Sequence, residues 1–135
     1  MSMLGEKIAE ESGRVVGTRI LSVDPPKMET TLQSTGKMLG HETTSSITYV
    51  SVARPDGLLE GEGQGIIMTH DGEMVTFTGK GVGRLTGKGQ AASFRGALFY
   101  HTASKKLAKL NEVIGVFEFE VDESGNTHGK SWEWK

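Results

Sequence analysis

The chain has 135 residues, no cysteine and a net charge of −2, with 15 basic and 17 acidic side chains interspersed along it. This length fits one domain with a sizeable core, and the absence of cysteine excludes a disulfide framework, a thiolate metal site and a cysteine nucleophile. Because the charges build no positive field, we predict no nucleic-acid partner and no anionic membrane surface as a partner.

The beginning of the chain, MSMLGEKIAEESG, has no basic segment followed by an apolar one, as a secretory signal would have. No apolar run approaches the ~18 residues that a membrane span requires. We therefore predict a cytoplasmic protein without a membrane segment.

Alternation of apolar and polar residues with period two runs along almost the whole chain and predicts eight β-strands. We place them at residues 14–23, 27–38, 41–53, 57–69, 73–86, 91–102, 113–122 and 127–134. Turn-forming residues separate most of them, as in the segments DPP, RPDG, HDG and SGN. We expect the residues before the first strand, about 1–12, to be frayed.

One segment departs from the strand pattern, SKKLAKLNE at residues 104–112. Ser104 is placed to cap a turn or two that carry Leu107 and Leu110 on one face. We predict a short helical segment that plugs or flanks one end of the sheet.

The architecture follows from the number of strands. Eight sequential strands in an open sheet would leave two long exposed edges, and closing the sheet removes both. We predict an all-β fold, a single domain over residues 1–135 that forms a closed or nearly closed eight-stranded antiparallel up-and-down barrel. A β-sandwich is the alternative.

Residues 60–85, EGEGQGIIMTHDGEMVTFTGKGVGRL, set glycine at every second position in two runs. A dinucleotide-binding loop would place its glycines between a strand and a helix, and a phosphate-binding P-loop would need a Lys followed by Ser or Thr at the right spacing. Here each run leads into more strand-like sequence. We therefore interpret the glycines as structural.

A three-residue loop ending at Gly72 would join the two glycine runs in one hairpin. Its register pairs residues whose numbers sum to 142, so that Gly63 meets Gly79 and Phe77 covers Gly65. The apolar residues on this face favour it as the inner one, and the opposite face stays open as the alternative. Glycine there would provide a bend, room for a bulky ring or room for a ligand.

A second hairpin is predicted near the C-terminus. A two-residue or four-residue loop around Gly125 would place Trp132 and Trp134 on the face that carries Phe117 and Phe119. We expect these four rings to share one core, so that deleting the last five residues abolishes soluble folded protein.

The stretch GVGRLTGKGQAASFRGALFYHT, residues 81–102, resembles the core of the allene oxide cyclase and dirigent-like barrels. The likeness is carried by Gly81, Gly83, Leu85, Phe94, Gly96 and Ala97. The resemblance implies an eight-stranded antiparallel barrel, often a dimer or trimer, whose cavity in some members binds or steers a small apolar substrate. The catalytic residues of the cyclase cannot be placed on this sequence, so its chemistry is not carried over. The wider chain resembles a small group of bacterial proteins of about this length without assigned function.

The sequence predicts no metal site and no cofactor, because the four histidines are scattered and lack ligand spacing. The glutamates at 60 and 62 and at 118 and 120 are interpreted as solvated sides of strands, with acid–base chemistry as the alternative. Residues that offer ring surface, in part with a polar group, are the candidate ligand-binding set. They are Tyr49, Phe77, Tyr100, Phe117 and Trp132.

Three functions are consistent with these observations. The leading hypothesis is a barrel that binds a small apolar ligand. An isomerase or cyclase-type enzyme that uses a buried acid or tyrosine is the first alternative, so enzymatic activity stays undecided at this stage. The other alternative is an oligomeric interaction module without a ligand. Under all three hypotheses we expect a homo-oligomer, a dimer or a trimer.

Overall fold

The structure, a computed structural model, describes residues 3–135. Its strands are β1 Leu4–Val23, β2 Pro26–Met38, β3 His41–Ala53, β4 Leu59–Thr69, β5 Met74–Leu85, β6 Ala92–Thr102, β7 Ile114–Val121 and β8 Asn126–Trp134. Each strand pairs antiparallel with the next, and β8 pairs with β1. The predicted closed eight-stranded up-and-down barrel is therefore confirmed.

The first strand is longer than predicted, because β1 begins at Leu4 rather than at residue 14. Residues 4–14 pair with β8 and complete the barrel, so the expectation of a frayed start is wrong for residues 4–12. The side chain of Ile8 is only 2% exposed. Residues 1 and 2 lie outside the described part of the chain.

The β4–β5 hairpin has the predicted loop and register. Thr69 and Glu73 flank the loop, with the Thr69 amide donating to the Glu73 carbonyl at 2.9 Å. Gly72 has a φ of 89°, the left-handed conformation that favours glycine. Phe77 pairs with Gly65, so the two glycine rows face each other across one hairpin.

The β7–β8 hairpin corrects the sequence-based prediction. Its loop has three residues between Asp122 and Asn126, and the Asp122 amide donates to the Asn126 carbonyl at 2.9 Å. The Asp122 carboxylate also accepts hydrogen bonds from the amides of Ser124 and Asn126, as in an Asx turn. The resulting bend places Gly125 at a φ of 83°.

This loop length reverses the face of the C-terminal tryptophans. This three-residue loop pairs odd-numbered residues with odd-numbered ones and even with even. Phe117 therefore pairs with Ser131, and Val116 pairs with Trp132. The prediction that Trp132 and Trp134 share the inner face with Phe117 is wrong. Trp132 is half-buried on the outer wall, and Trp134 is exposed.

A 3₁₀ helix, Ala108–Glu112, connects β6 to β7 and fulfils the prediction of a helical plug. Leu107 and Leu110 are almost fully buried. Ser104 does not cap it, because its hydroxyl has no hydrogen-bond partner among the residues that the structure describes. Instead the Asn111 side chain bonds both the amide and the carbonyl of Thr102 at the end of β6.

The plug closes one end of the barrel. Its two leucines pack in a buried cluster with Ile8, Met38, Ile67, Val75 and Tyr100. Solid apolar packing therefore fills this end of the lumen. Among the residues that the structure describes, no helix is long and apolar enough to cross a membrane.

Candidate functional site: a cavity in the barrel

The barrel lumen contains a cavity of about 120 Å³. Its apolar wall includes Ile47, Ile67, Phe77, Phe94, Leu98 and Phe119. A dry cavity of roughly 150 Å³ accommodates one benzene molecule, so this volume is of the order of a single small ring. The lumen is thus not filled completely by side chains.

Four of the five candidate ligand-binding residues meet at this cavity. Tyr49, Phe77, Tyr100 and Phe117 all line it. Trp132 does not, because the β7–β8 register turns its side chain to the outer wall. That four of these residues line the cavity is an observation of geometry, and ligand binding by them stays a prediction.

Edge-to-face ring contacts hold the aromatic wall in place. The Tyr49 ring lies 5.7 Å from the Phe94 ring and 5.7 Å from the Phe119 ring, measured between centroids. Phe77 and Tyr100 form a similar contact at 6.4 Å. Such geometry suits the ring quadrupoles and adds to the stabilisation from burial. The wall is therefore preorganised.

Glycine makes room for these rings. A Cβ atom added at Gly83 would lie 2.5 Å from the Phe94 ring, and one at Gly61 would lie 3.1 Å from the same ring. Gly129 is different, because a Cβ there would be in ordinary contact with its nearest neighbours at 3.6 Å. Gly129 also lines the cavity, so it marks a stretch of wall with space in front of it.

Glu11 provides a carboxyl group on the cavity wall. Burial raises the pKa of this carboxyl above its ordinary value. The hydroxyls of Ser34 and Ser45 lie beside it and act in the opposite direction, since they favour the charged form. Neither hydroxyl oxygen has a hydrogen-bond partner of normal geometry within residues 3–135.

Sequence reasoning missed Glu11, because the first strand was predicted to begin three residues after it. The pairing of β1 with β8 contains a register shift between Lys7 and Ala9. Ile8 is buried, and Ala9 and Glu11 line the cavity, so the alternation changes phase at this irregularity. Strict period two from Ile8 would have placed Glu10 inside.

Tyr100 is the second ionisable group that matters here. Its hydroxyl donates a hydrogen bond to the Ser131 hydroxyl at 3.0 Å. Burial is the main cause that raises the pKa of Tyr100 to about 12, and the negative charge of Glu11 adds to the effect. Tyr100 is therefore a neutral hydrogen-bonding group at ordinary pH.

The predicted pairs of carboxylates lie on the outer wall. Glu62 is exposed and pairs in register with Lys80. Arg95 bridges Glu118 at 3.7 Å and Glu120 at 3.0 Å, with these side chains about half exposed. The interpretation of these glutamates as the solvated side of their strands is in line with this exposure.

Residues 3–135 contain no arrangement of side chains that suits a metal ion. Within the described part of the chain, no group of three His, Asp or Glu side chains is arranged to hold an ion. A second depression, of about 530 Å³, is lined mainly by polar residues, including Lys37, Glu42 and His70. It has no comparable apolar wall, so the lumen is the better candidate site.

We expect the substitution Glu11→Gln to stabilise the barrel at neutral and alkaline pH. The raised pKa means that the folded protein binds the Glu11 proton more tightly than the unfolded chain does. The contribution of this proton to the free energy of unfolding is complete below about pH 4.3, the ordinary pKa of a glutamate. It is lost as the pH rises through the raised pKa of Glu11. The variant keeps a neutral side chain and avoids this loss.

Thermal unfolding followed by circular dichroism between about pH 4 and pH 8 measures this effect. The Tm of Glu11→Gln should exceed that of the parent at pH 8, and the difference should shrink towards pH 4. Glu60→Gln, at an exposed position on β4, is the control and should change stability by no more than ~0.5 kcal/mol. A constant difference across the pH range would contradict the assignment of Glu11 as a buried acid.

Comparison with known proteins relates the chain by fold. No protein-family model matches it, and no curated protein matches it. A protein with unknown function from Clostridium acetobutylicum ATCC 824 superposes with a TM-score of 0.83 at 15% identity, over 96% of this chain and 98% of that one. The similarity therefore extends over essentially the whole of both proteins.

Two further solved structures have the same fold. A conserved protein of unknown function from Rhodopseudomonas palustris gives a TM-score of 0.80 at 13% identity, over 98% of this chain and 99% of that chain. A beta-barrel like protein from Acinetobacter baumannii AYE gives a TM-score of 0.80 at 14% identity, over 96% and 94%. At such identities the likeness establishes the fold alone.

Proposed function

We propose that the protein binds a small, largely apolar molecule in the barrel cavity. The observation that carries the proposal is the unfilled volume of about 120 Å³ behind a wall of aromatic and aliphatic side chains. A filled core would leave no such space, since protein interiors normally pack as densely as organic crystals.

The size and wall of the cavity define the ligand. Burying apolar ligand surface contributes roughly 25 cal/mol per Å², and the preorganised rings need little reordering when the ligand enters. Most drug-sized ligands occupy pockets of about 300–1,000 Å³, so this cavity suits a much smaller molecule, of about one six-membered ring.

Toluene is a suitable probe of this proposal. We expect it to bind and to shift the NMR signals of Tyr49 and Phe77 in a saturable titration. Gly129→Leu should weaken the binding by at least about tenfold, because the new side chain occupies the space in front of β8. Gly129→Ala adds one methyl group at the same place and should have a smaller effect.

The proposal fails if toluene causes no saturable shift in the parent protein. It also fails if Gly129→Leu folds and binds toluene as tightly as the parent, since binding would then occur elsewhere. An added Cβ at Gly129 would be in ordinary contact with its nearest neighbours at 3.6 Å, so Gly129→Ala should fold. Circular dichroism establishes whether Gly129→Leu is folded before its binding is compared.

An isomerase or cyclase-type enzyme is a second candidate. The observation that favours it is the presence of Glu11 on the cavity wall, near enough to Tyr100 to affect its pKa. A buried acid beside a neutral phenol could transfer or donate a proton to a bound substrate. The resemblance to the allene oxide cyclase barrels is its other support. Conversion of a bound molecule to an isomer of equal mass would distinguish this function from simple binding.

An oligomeric interaction module is a third candidate, and its partner would be a second copy of the chain. Apolar side chains on the outer wall favour it: Ile66, Met74, Val82 and Phe99 are each about half exposed on three consecutive strands. Burying such surface between subunits would stabilise a dimer or trimer. Size-exclusion chromatography with light scattering measures the molar mass in solution. The mass of a monomer would contradict this candidate function.

A further inference from the structure

The charges around the cavity are unbalanced. Glu11 is the carboxyl whose side chain faces the lumen. Two further glutamates and two lysines border the cavity from positions on the outer wall: Glu62, Glu118, Lys80 and Lys130. No basic side chain contributes to the shifted pKa of Glu11 in the part of the chain that is described. A buried carboxylate without a cation is costly in free energy, so the lumen lacks a positive charge that would balance Glu11.

Two buried hydroxyls prepare this carboxyl for its charged form. Ser34 and Ser45 are 5% and 4% exposed, and they pair with each other across β2 and β3. Their hydroxyl oxygens have no hydrogen-bond partner within residues 3–135, yet both lie close enough to Glu11 to favour its ionised form. Each can donate its proton to a carboxylate oxygen after a small adjustment.

The space beside Glu11 is open to a ligand. Its neighbour in the register on β8 is Gly129, which has no side chain to cover the carboxyl. A Cβ added at Gly129 would lie 3.7 Å from a carboxyl oxygen of Glu11 and 3.6 Å from the Phe119 ring. Carboxyl and ring therefore border the same small space.

The aromatic wall also suits a cation. The Phe119 ring contacts Tyr49, which in turn contacts Phe94, so three rings stand on this side of the cavity. The faces of aromatic rings attract ammonium groups, and the attraction increases where water is excluded.

The geometry points to a small protonated amine as the ligand of this cavity. Its apolar body would lie among the rings, and its ammonium group would donate a hydrogen bond to the Glu11 carboxylate. This inference rests on the proposed function, because it names the chemical class of the molecule that the same cavity binds. A neutral ligand would leave the carboxylate without a countercharge, whereas an amine supplies both the charge and the N–H donors.

Three probes of nearly equal shape test the inference by NMR titration at about pH 8, where benzylamine is still an ammonium ion. They are toluene, benzyl alcohol and benzylamine. In the parent protein, benzylamine should bind at least about tenfold more tightly than benzyl alcohol. Glu11→Gln should abolish this preference.

Glu60→Gln is the matched control, since it removes an exposed glutamate on β4, and it should keep the preference for benzylamine. Equal affinities for benzylamine and benzyl alcohol in the parent would overturn the inference, as would an unchanged preference in Glu11→Gln. If this variant does not fold, the comparison in the parent decides. Toluene separates the two proposals. Binding of toluene without a preference for benzylamine leaves the apolar-ligand function standing, and loss of binding by all three probes rejects both.

Discussion

Gly96→Ala is expected to cost about 3 kcal/mol of unfolding free energy, a large share of the ~5–15 kcal/mol of a typical domain. A Cβ at Gly96 would collide with the Lys80 carbonyl oxygen and would lie 2.6 Å from the Gly81 Cα atom. These are backbone atoms of β5, and Gly81 pairs directly with Gly96. The backbone cannot move away without breaking the ladder between β5 and β6.

Denaturant unfolding of parent and variant measures this cost. Gly17→Ala is the matched control, because an added Cβ there has nothing within 4 Å. It should change stability by no more than about 0.5 kcal/mol. If the unfolding free energy of Gly96→Ala lies within about 1 kcal/mol of that of the parent, then β5 and β6 are packed less closely than these distances indicate.

Deleting residues 131–135 is expected to abolish the cooperative folding of the barrel. Ser131, Trp132 and Trp134 pair with β1, and Ser131 and Trp132 also pair with β7. Their removal would open the barrel along this seam and leave strand edges exposed. It would also leave the buried Tyr100 hydroxyl without its partner, a cost of about 1–3 kcal/mol.

Circular dichroism and thermal unfolding of the purified deletion variant test this expectation. Removal of Lys135 alone is the control, because it eliminates one backbone hydrogen bond, to the Met3 carbonyl. The variant that lacks Lys135 alone should unfold cooperatively, with a Tm close to that of the parent. A cooperative melt of the longer deletion within a few degrees of the parent would contradict the role of β8 in closing the barrel.

The sequence predicts the same result for the deletion, but for a different reason. From the sequence, the loss of folding is predicted because Trp132 and Trp134 would pack in the core with Phe117. In the structure these tryptophans lie on the outer wall. The loss of folding is now expected from the open seam and from the Tyr100 hydroxyl.

The two hairpins explain why one register could be predicted and the other could not. In both, a glycine with positive φ ends a three-residue loop, Gly72 in one and Gly125 in the other. The loop that ends at Gly72 joins two strands that both carry alternating glycines, and the predicted register is the one that pairs these glycines with each other. Around Gly125 a change of one residue in loop length reverses every side chain of β8, and the Asp122 carboxylate decides that length.

The candidate site was predictable where period two is regular. Tyr49, Phe77, Tyr100 and Phe117 lie on strands whose pairing with one another has no register shift, and all four line the cavity. Glu11 lies beyond an irregularity in the pairing of β1 with β8. A glutamate in an alternating strand is usually solvated, so local pattern alone would not have singled it out.

The sequence by itself determined the barrel, its strand order and the register of the glycine hairpin, because period two and turn chemistry are local properties. Only the tertiary structure decided the cavity and the neighbours of Glu11. Both depend on closure, which brings β1 against β8 although they lie at opposite ends of the sequence. Whether facing side chains fill the lumen depends on shear and on ring packing across it, and no single strand encodes either.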